Sequence, residues 1–146
     1  MNTGSLQRIL MVEDDPDIQI VARLSLEAVG KYTVEACSGG HEALRIVKDF
    51  APDLVLLDVM MPDMDGLTVL QALRADPQTK ALPVVFMTAK AQAHEVVAYK
   101  EKGAISVISK PFDPMELPFT LAQIWRDYVA TSALAFCDNA SVGEPQ

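Results

Sequence analysis

Five polar residues that could act on phosphate or bind a metal each follow an apolar run. They are Glu13, Asp14, Asp58, Thr88 and Lys110. Three carboxylates in one pocket repel one another, and Mg²⁺ relieves that repulsion because it prefers oxygen ligands. With a metal and a lysine ammonium present, an aspartate stays ionised and can act as a nucleophile. Metal, ammonium and hydroxyl together would stabilise a transferring phosphoryl group, so these residues predict phosphorylation of Asp58.

The five residues can meet only if the apolar runs before them are neighbouring strands. Apolar runs over residues 6–12, 32–36, 53–58, 82–87 and 105–108 alternate with five segments of helical pattern. Such alternation predicts an α/β fold, a doubly wound parallel sheet of five strands with right-handed crossovers. In these sheets sites form outside the carboxyl ends of the strands, which is where all five residues fall.

Each helical segment carries an apolar stripe that predicts its inner face. In the first, the stripe comprises Ile18, Val21, Ala22 and Ser25, and in the fourth it comprises Ala93, Val96 and Val97.

The second helix is opened by Ser38-Gly39-Gly40. A glycine pair at this position could form a phosphate loop, but no Lys-Ser or Lys-Thr follows it. The pattern therefore favours a turn.

Composition limits the classes of partner. The chain has 146 residues, half of them hydrophobic, and a net charge of −8. This size and hydrophobicity predict one folded domain, and the acidic balance argues against nucleic-acid and anionic membrane surfaces. We find neither a signal peptide nor a membrane-spanning run, and the two cysteines have no metal-ligand spacing. A cytoplasmic location is expected.

Some of these residues also have simpler interpretations. Asp58 alone could be the cap of the turn that follows it. His41 and His94 have no metal-ligand partner at helical spacing and are expected to be exposed. Cys37 follows an apolar strand and is expected to be a core residue rather than a reactive thiol.

Four motifs in order resemble the receiver domain of bacterial two-component response regulators, of the single-domain, chemotaxis type. The resemblance extends from about Gln7 to Tyr128 and implies a flavodoxin-like sheet of strand order 2-1-3-4-5. The motifs are Glu13-Asp14-Asp15-Pro16, Leu57-Asp58 with the following Val59 to Gly66, Met87-Thr88-Ala89, and Lys110-Pro111-Phe112.

The resemblance implies a role for each site residue. Asp58 would accept a phosphoryl group from a phosphohistidine of a sensor kinase or phosphotransfer protein. Mg²⁺ would be bound by Asp14, Asp58 and the backbone carbonyl of Met60, and by Glu13 through water. Lys110 would pair with Asp58 and then with phosphoryl oxygens, and Thr88 would donate a hydrogen bond to the phosphoryl group. The Lys110–Pro111 peptide bond would be cis.

Four further positions are expected to modulate the site. Ala89 is small, which leaves access to Asp58, while Met60 and Lys90 flank the site and should tune the lifetime of the acyl phosphate. Many receivers carry Tyr or Phe where this chain has Val107, which cannot fill the same space. We therefore expect a switch carried mainly by the segment from Thr88 into the fourth helix.

The predicted domain comprises residues 6–130 and is followed by a flexible tail over residues 131–146. Its output face would be the fourth helix, fifth strand and last helix, near Val96, Val107 and Trp125. The expected partners are a kinase or phosphotransfer protein and an unknown output protein, without DNA or membrane. The chain is not expected to be an enzyme beyond its own phosphorylation and dephosphorylation.

Two alternatives remain. One is an unphosphorylated docking module with a receiver-like fold. The other is a phosphohydrolase with an aspartate nucleophile. The hydrolase is disfavoured because the second residue after the nucleophile would have to be an acid, and here it is Met60.

Overall fold

The computed structural model describes the backbone of residues 4–143 and the side chains of residues 4–132. All strand pairs are parallel, and the sheet order is β2-β1-β3-β4-β5. The predicted doubly wound fold and its strand order are confirmed. The strands are β1 (Arg8–Val12), β2 (Thr33–Cys37), β3 (Leu54–Asp58), β4 (Val84–Thr88) and β5 (Ser106–Ser109).

A helix follows each of the five strands. None in the described part of the chain combines the length and apolar character needed to cross a bilayer. The predicted flexible tail falls mostly on residues whose side chains lie outside the described part, so it stays a prediction. The helices are α1 (Pro16–Leu24), which continues as a π-helical segment (Ser25–Val29), α2 (Gly40–Phe50), α3 (Gly66–Ala75), α4 (Ala93–Glu101) and α5 (Leu117–Gly143).

The sheet separates two apolar cores. Successive side chains of a strand point to opposite faces, so β4 sends Phe86 into the core covered by α2 and α3, and Met87 into the core beneath α1 and α5. Every residue of β3 and β4 is buried, as expected for central parallel strands. The apolar run therefore fixes where each central strand ends, and Asp58 and Thr88 are those last residues.

The predicted inner face of α4 is wrong. Ala93 is exposed, Val97 is 55% exposed, and α4 contains no fully buried residue. Only Tyr99 packs against the core, where its ring meets Phe86 edge to face at 5.3 Å between centroids. The side chains of α4 stay exposed because the helix packs on β5, which is an edge strand of the sheet. Little sheet surface lies beneath a helix at that position.

The inner face of α1 was also only partly predicted. Ala22 and Ser25 are buried, but Val21 is 41% exposed, and its neighbours Ile20 and Leu24 are exposed too. Leu26, one turn further along, is the fully buried apolar residue of the π-helical segment.

Two contacts anchor peripheral elements. The Arg74 guanidinium donates from Nη1 to the carbonyl of Leu82 at 2.8 Å and from Nη2 to the carbonyl of Gly103 at 2.9 Å. It thereby ties the chain just after α4 to α3. On the opposite face of the sheet, Trp125 Nε1 donates to the carbonyl of Gly4 at 2.8 Å, which holds the N-terminal segment against α5.

Candidate functional site

The carboxyl end of β1 presents Glu13 and Asp14. The ladder continues one residue past β1, where the Glu13 N–H donates to the carbonyl of Cys37 at 3.0 Å. The Gln19 side-chain amide donates to the carbonyls of both Glu13 and Cys37, each at 3.0 Å. Asp15 caps α1 by accepting from two backbone N–H groups of its first turn, as its position before Pro16 suggests. These contacts fix where the two acids leave the sheet.

Asp58 is the central residue of the site and is only 2% exposed. Its Oδ1 accepts from the backbone N–H of Met60 at 3.2 Å and lies 3.1 Å from Lys110 Nζ. Glu13, Asp14 and Asp58 each offer a carboxylate oxygen within 4.8 Å of the other two. The structure thus brings together the three acids that the sequence placed at separate strand ends.

Lys110 binds two acids rather than one. Its Nζ lies 2.7 Å from Glu13 Oε1, closer than its 3.1 Å contact with Asp58. The Glu13 contact is an ion pair of poor hydrogen-bond angle, since Oε1 is buried without a well-directed donor. Glu13 was expected to act through water, so its direct contact with the ammonium is an addition. The Lys110–Pro111 bond is cis, as expected.

Thr88 lies at the end of β4, is 1% exposed, and accepts at Oγ1 from the Lys90 N–H at 3.0 Å. The Lys110 N–H donates to the Thr88 carbonyl at 2.9 Å, which joins the ends of β4 and β5. Ala89 and the side chain of Lys90 are exposed, and Met60 is 64% exposed. All three lie within two residues of Asp58 or Thr88 in the chain, and their modulating role stays a prediction.

Val107 is the one predicted modulating residue that lies away from the acids. It pairs with Phe86 in the sheet register and packs, half-buried, in the core that also contains Tyr99. Phe86 therefore relates the two residues, since it is the register partner of Val107 and its ring contacts the ring of Tyr99.

The electrostatics of the site are those of acids held too close together. Burial, followed by contact with Glu13, raises the pKa of Asp58, although Lys110 opposes the shift. Burial and then the Asp58 carboxylate raise the pKa of Asp14. Burial lowers the pKa of Lys110, but its contacts with Glu13 and Asp58 outweigh burial and raise it. The site therefore has an excess of negative charge that one ammonium does not neutralise.

The donor set fits a hard divalent cation. Asp14 and Asp58 supply carboxylate oxygens, the ligand type of Mg²⁺, and Asp14 is half-buried, so water could supply further oxygen ligands. A cation there would reverse the pKa rise of both aspartates. Cys37, at the end of β2, does not belong to this set, because burial raises its pKa to about 12 and keeps the thiol protonated.

Sequence reasoning missed two residues near the site. Gln19 carries a polar amide on the inner side of α1. A polar residue beside the predicted apolar stripe of that helix was the one sequence signal that could have indicated its role. Asp63, in the loop after Asp58, contacts the start of α2 through Gly40 and His41. Nothing in the sequence indicated that these two segments touch.

Comparison with known proteins agrees with this geometry. Residues 9–122 match the response regulator receiver domain. This chain belongs to that family. A receiver domain is a phosphoacceptor signalling switch, and the resemblance to a receiver domain drawn from the four motifs is confirmed.

Relatives and solved structures extend the match. The DNA-binding response regulator MtrA of Mycolicibacterium smegmatis is 41% identical over 111 residues, 76% of this chain and 47% of MtrA. The structure of chemotaxis response regulator CheY4 of Vibrio cholerae has a TM-score of 0.75 at 30% identity, covering 82% of this chain and 99% of that one. The signal receiver domain of a histidine kinase from Syntrophus aciditrophicus has a TM-score of 0.71 at 32% identity, covering 83% and 91%.

The prediction that DNA is not a partner is wrong. MtrA is named a DNA-binding response regulator, and RpaA of Synechocystis, 37% identical over 77% of this chain, is named a DNA-binding dual master transcriptional regulator. This chain spans about half the length of these relatives. The net charge of −8 belongs to these 146 residues, whereas the matched segment is only 47% of MtrA and 46% of RpaA, so this charge was the wrong basis for the prediction.

Proposed function

We propose that Asp58 accepts a phosphoryl group from a phosphohistidine of a kinase or phosphotransfer protein, in a reaction that requires Mg²⁺. This proposal rests on one observation, that the buried Asp58 is surrounded by an ammonium group and two further carboxylates. Asp58 Oδ1 lies 3.1 Å from Lys110 Nζ. One carboxylate oxygen each of Asp58, Asp14 and Glu13 lie within 4.8 Å of one another.

The two oxygens of Asp58 have different surroundings. The Lys110 ammonium and the Met60 N–H both contact Oδ1 and hold the carboxylate in place. We assign Oδ2 as the nucleophile. It forms a P–O bond while the P–N bond to the donor imidazole breaks, and the departing nitrogen keeps the electron pair of that bond.

The chain's own groups would balance the charge that is transferred. Asp14 and Asp58, with the Met60 carbonyl, would hold Mg²⁺, which when bound supplies positive charge to the phosphoryl oxygens. Lys110 can turn from Asp58 towards the phosphoryl group while keeping its 2.7 Å contact with Glu13. The Thr88 hydroxyl now accepts from the Lys90 N–H, so its proton is available to a phosphoryl oxygen.

The test of this function is phosphorylation by acetyl phosphate with Mg²⁺, followed by mass spectrometry of the intact protein. We expect the mass of one phosphoryl group on the wild type, none on Asp58→Ala, and a strong reduction when EDTA removes the metal. The matched control is Asp17→Ala, which removes an exposed acid of α1 and should leave the gain unchanged. A wild type without mass gain would favour the docking module, and a phosphorylated Asp58→Ala protein would place the phosphoryl group elsewhere.

The structural response to phosphorylation is proposed to pass mainly through α4. This helix packs on the core through Tyr99, and the chain after it is anchored by Arg74 at Gly103. Its N-terminal half has no comparable anchor among the described residues, beyond the capping box between Gln92 and Glu95. A change at Thr88 therefore meets least resistance in the first turns of α4.

Replacing Tyr99 should expose this coupling. We expect Tyr99→Ala to speed amide hydrogen exchange of α4 in the unphosphorylated protein, because the edge-to-face contact with Phe86 is lost. The change that phosphorylation adds should then shrink. His94→Ala, an exposed position of the same helix, is the control and should exchange as the wild type does. Wild-type exchange of α4 in Tyr99→Ala would contradict the proposed route.

A further inference from the structure

The start of α2 is capped by a residue from another part of the chain. The N-cap position is Gly39, which has no side chain, and Asp63 of the β3–α3 loop takes its place. The Asp63 carboxylate accepts from the N–H groups of Gly40 at 3.4 Å and His41 at 3.3 Å, and lies 3.2 Å from His41 Nδ1. A carboxylate at a helix N-terminus satisfies free N–H groups and interacts favourably with the helix dipole.

The glycine pair allows this close approach. A Cβ atom on Gly39 would lie 2.6 Å from Asp63 Oδ2, and one on Gly40 would lie 2.6 Å from Val69 Cγ2 and 3.0 Å from Met64 Cβ. All three neighbours belong to the loop after Asp58 or to the helix that follows it. Gly39 and Gly40, which the sequence assigned to a turn, thus make room for the loop of the phosphorylation site.

That loop also bears the Met60 backbone. The Val59 N–H donates to the Met87 carbonyl at 3.2 Å, and the Gly66 N–H donates to the Val59 carbonyl at 2.8 Å, which closes the base of the loop. Within the loop, the Met60 N–H contacts Asp58. Asp63, three residues later, joins the loop to α2 through polar contacts.

We propose that Asp63 is a positioning residue that holds the Met60 backbone in register with Asp58, and so sets the affinity of the site for Mg²⁺. The inference rests on the proposed phosphorylation of Asp58 and deepens it. Asp63 itself lies outside the acidic cluster and is exposed. Its effect passes through the loop: without the tether to α2, the Met60 carbonyl loses its fixed position, while Asp14 and Asp58 remain.

Two different substitutions test the tether. Asp63→Ala removes the acceptor, whereas Gly39→Ala keeps Asp63 but puts a methyl group where its carboxylate lies. For both we expect Mg²⁺ affinity, measured by titration calorimetry of the unphosphorylated protein, to fall about tenfold. The Mg²⁺ concentration for half-maximal phosphorylation by acetyl phosphate should rise by the same factor, with little change in rate at saturating Mg²⁺. Asp63→Asn keeps an acceptor oxygen and should restore most of the affinity.

The matched control removes a similar tether from the other end of α2. Asp76, just after α3, lies with its Oδ2 2.6 Å from the Nζ of Lys48 in the last turn of α2. Asp76→Ala should leave Mg²⁺ affinity unchanged. An equal loss in Asp76→Ala would show that only the stability of α2 matters, and wild-type affinity in Asp63→Ala would exclude the tether; either result overturns the inference. A wild type that binds Mg²⁺ but is never phosphorylated would instead refute the proposed function, and the calorimetric comparison would still test Asp63.

Discussion

Lys110→Met is expected to lower the free energy of unfolding at neutral pH by about 2–4 kcal/mol. The substitution keeps a long apolar side chain and removes the cation that contacts Glu13 and Asp58. These two carboxylates are only 1% and 3% exposed in their side chains, so they would be left buried together without a positive partner. Removing one member of a buried ion pair is strongly destabilising because the remaining charge is not resolvated.

The pH dependence of this loss has a definite sign. The folded-state pKa of Lys110 is raised, so its stabilising contribution is complete below its unfolded pKa and is lost only as pH rises through the folded value. The pKa of Asp58 is already raised and should rise further in Lys110→Met. The deficit should therefore be largest at neutral pH and shrink as acidification protonates Asp58.

Chemical denaturation of both proteins between acidic and neutral pH measures this trend. Lys48→Met is the control, because its ion pair with Asp76 is partly exposed and screened by solvent, so its loss should change the free energy of unfolding much less than the loss of Lys110. A Lys110→Met protein as stable as Lys48→Met at neutral pH would refute the account of the buried pair. A deficit that grew on acidification would refute its sign.

Asp14→Asn is expected to have opposite effects on stability without and with Mg²⁺. In EDTA at neutral pH it should raise the melting temperature by about 2 °C. Burial and the neighbouring Asp58 raise the pKa of Asp14, so its ionised carboxylate destabilises the fold and its removal is favourable. The gain is small because Asp14 is half-buried and solvent screens the repulsion. Mg²⁺ affinity should fall on the order of 100-fold, because the site loses a charged ligand.

The sign follows from the direction of the Asp14 pKa. A folded pKa above the unfolded one makes ionisation destabilising, so the wild type loses stability as pH rises through the unfolded value of about 4. Asp14→Asn should lack that loss, and the two proteins should converge on acidification. Calorimetric melting with EDTA and with Mg²⁺ measures both effects, and Asp17→Asn, an exposed acid of α1, is the control. If Mg²⁺ stabilised Asp14→Asn as much as the wild type, Asp14 would not be a metal ligand.

The sheet and its site could be predicted because one simple pattern determines both. A buried parallel strand is an uninterrupted apolar run, so its last residue can be read from the sequence, as with Leu57-Asp58 and Met87-Thr88. Carboxyl ends of neighbouring parallel strands lie along one edge. Because β3 lies between β1 and β4, strand order placed Asp58 between the acids that follow β1 and Thr88 at the end of β4.

The parts that could not be predicted depend on contacts between elements. Apolar periodicity gives a helix an inner side only if something covers that side, and α4 lies on an edge strand that leaves Val97 in solvent. The direct Glu13–Lys110 pair depends on which acid a flexible side chain reaches first. The capping of α2 by Asp63 joins segments whose separation in space the sequence does not encode locally.

The anchored indole of Trp125 has a spectroscopic consequence. It is the single tryptophan of the chain, 5% exposed, in the core beneath α1 and α5. Phe86, Tyr99 and Val107 occupy the core on the other face of the sheet. The emission of Trp125 should therefore follow the docking of the Gly4 segment and the opening of the core beneath α1 and α5. It should be insensitive to rearrangement of α4. Intrinsic fluorescence would then report the opening of that core in phosphorylated and unphosphorylated protein alike, so one probe could compare their stabilities.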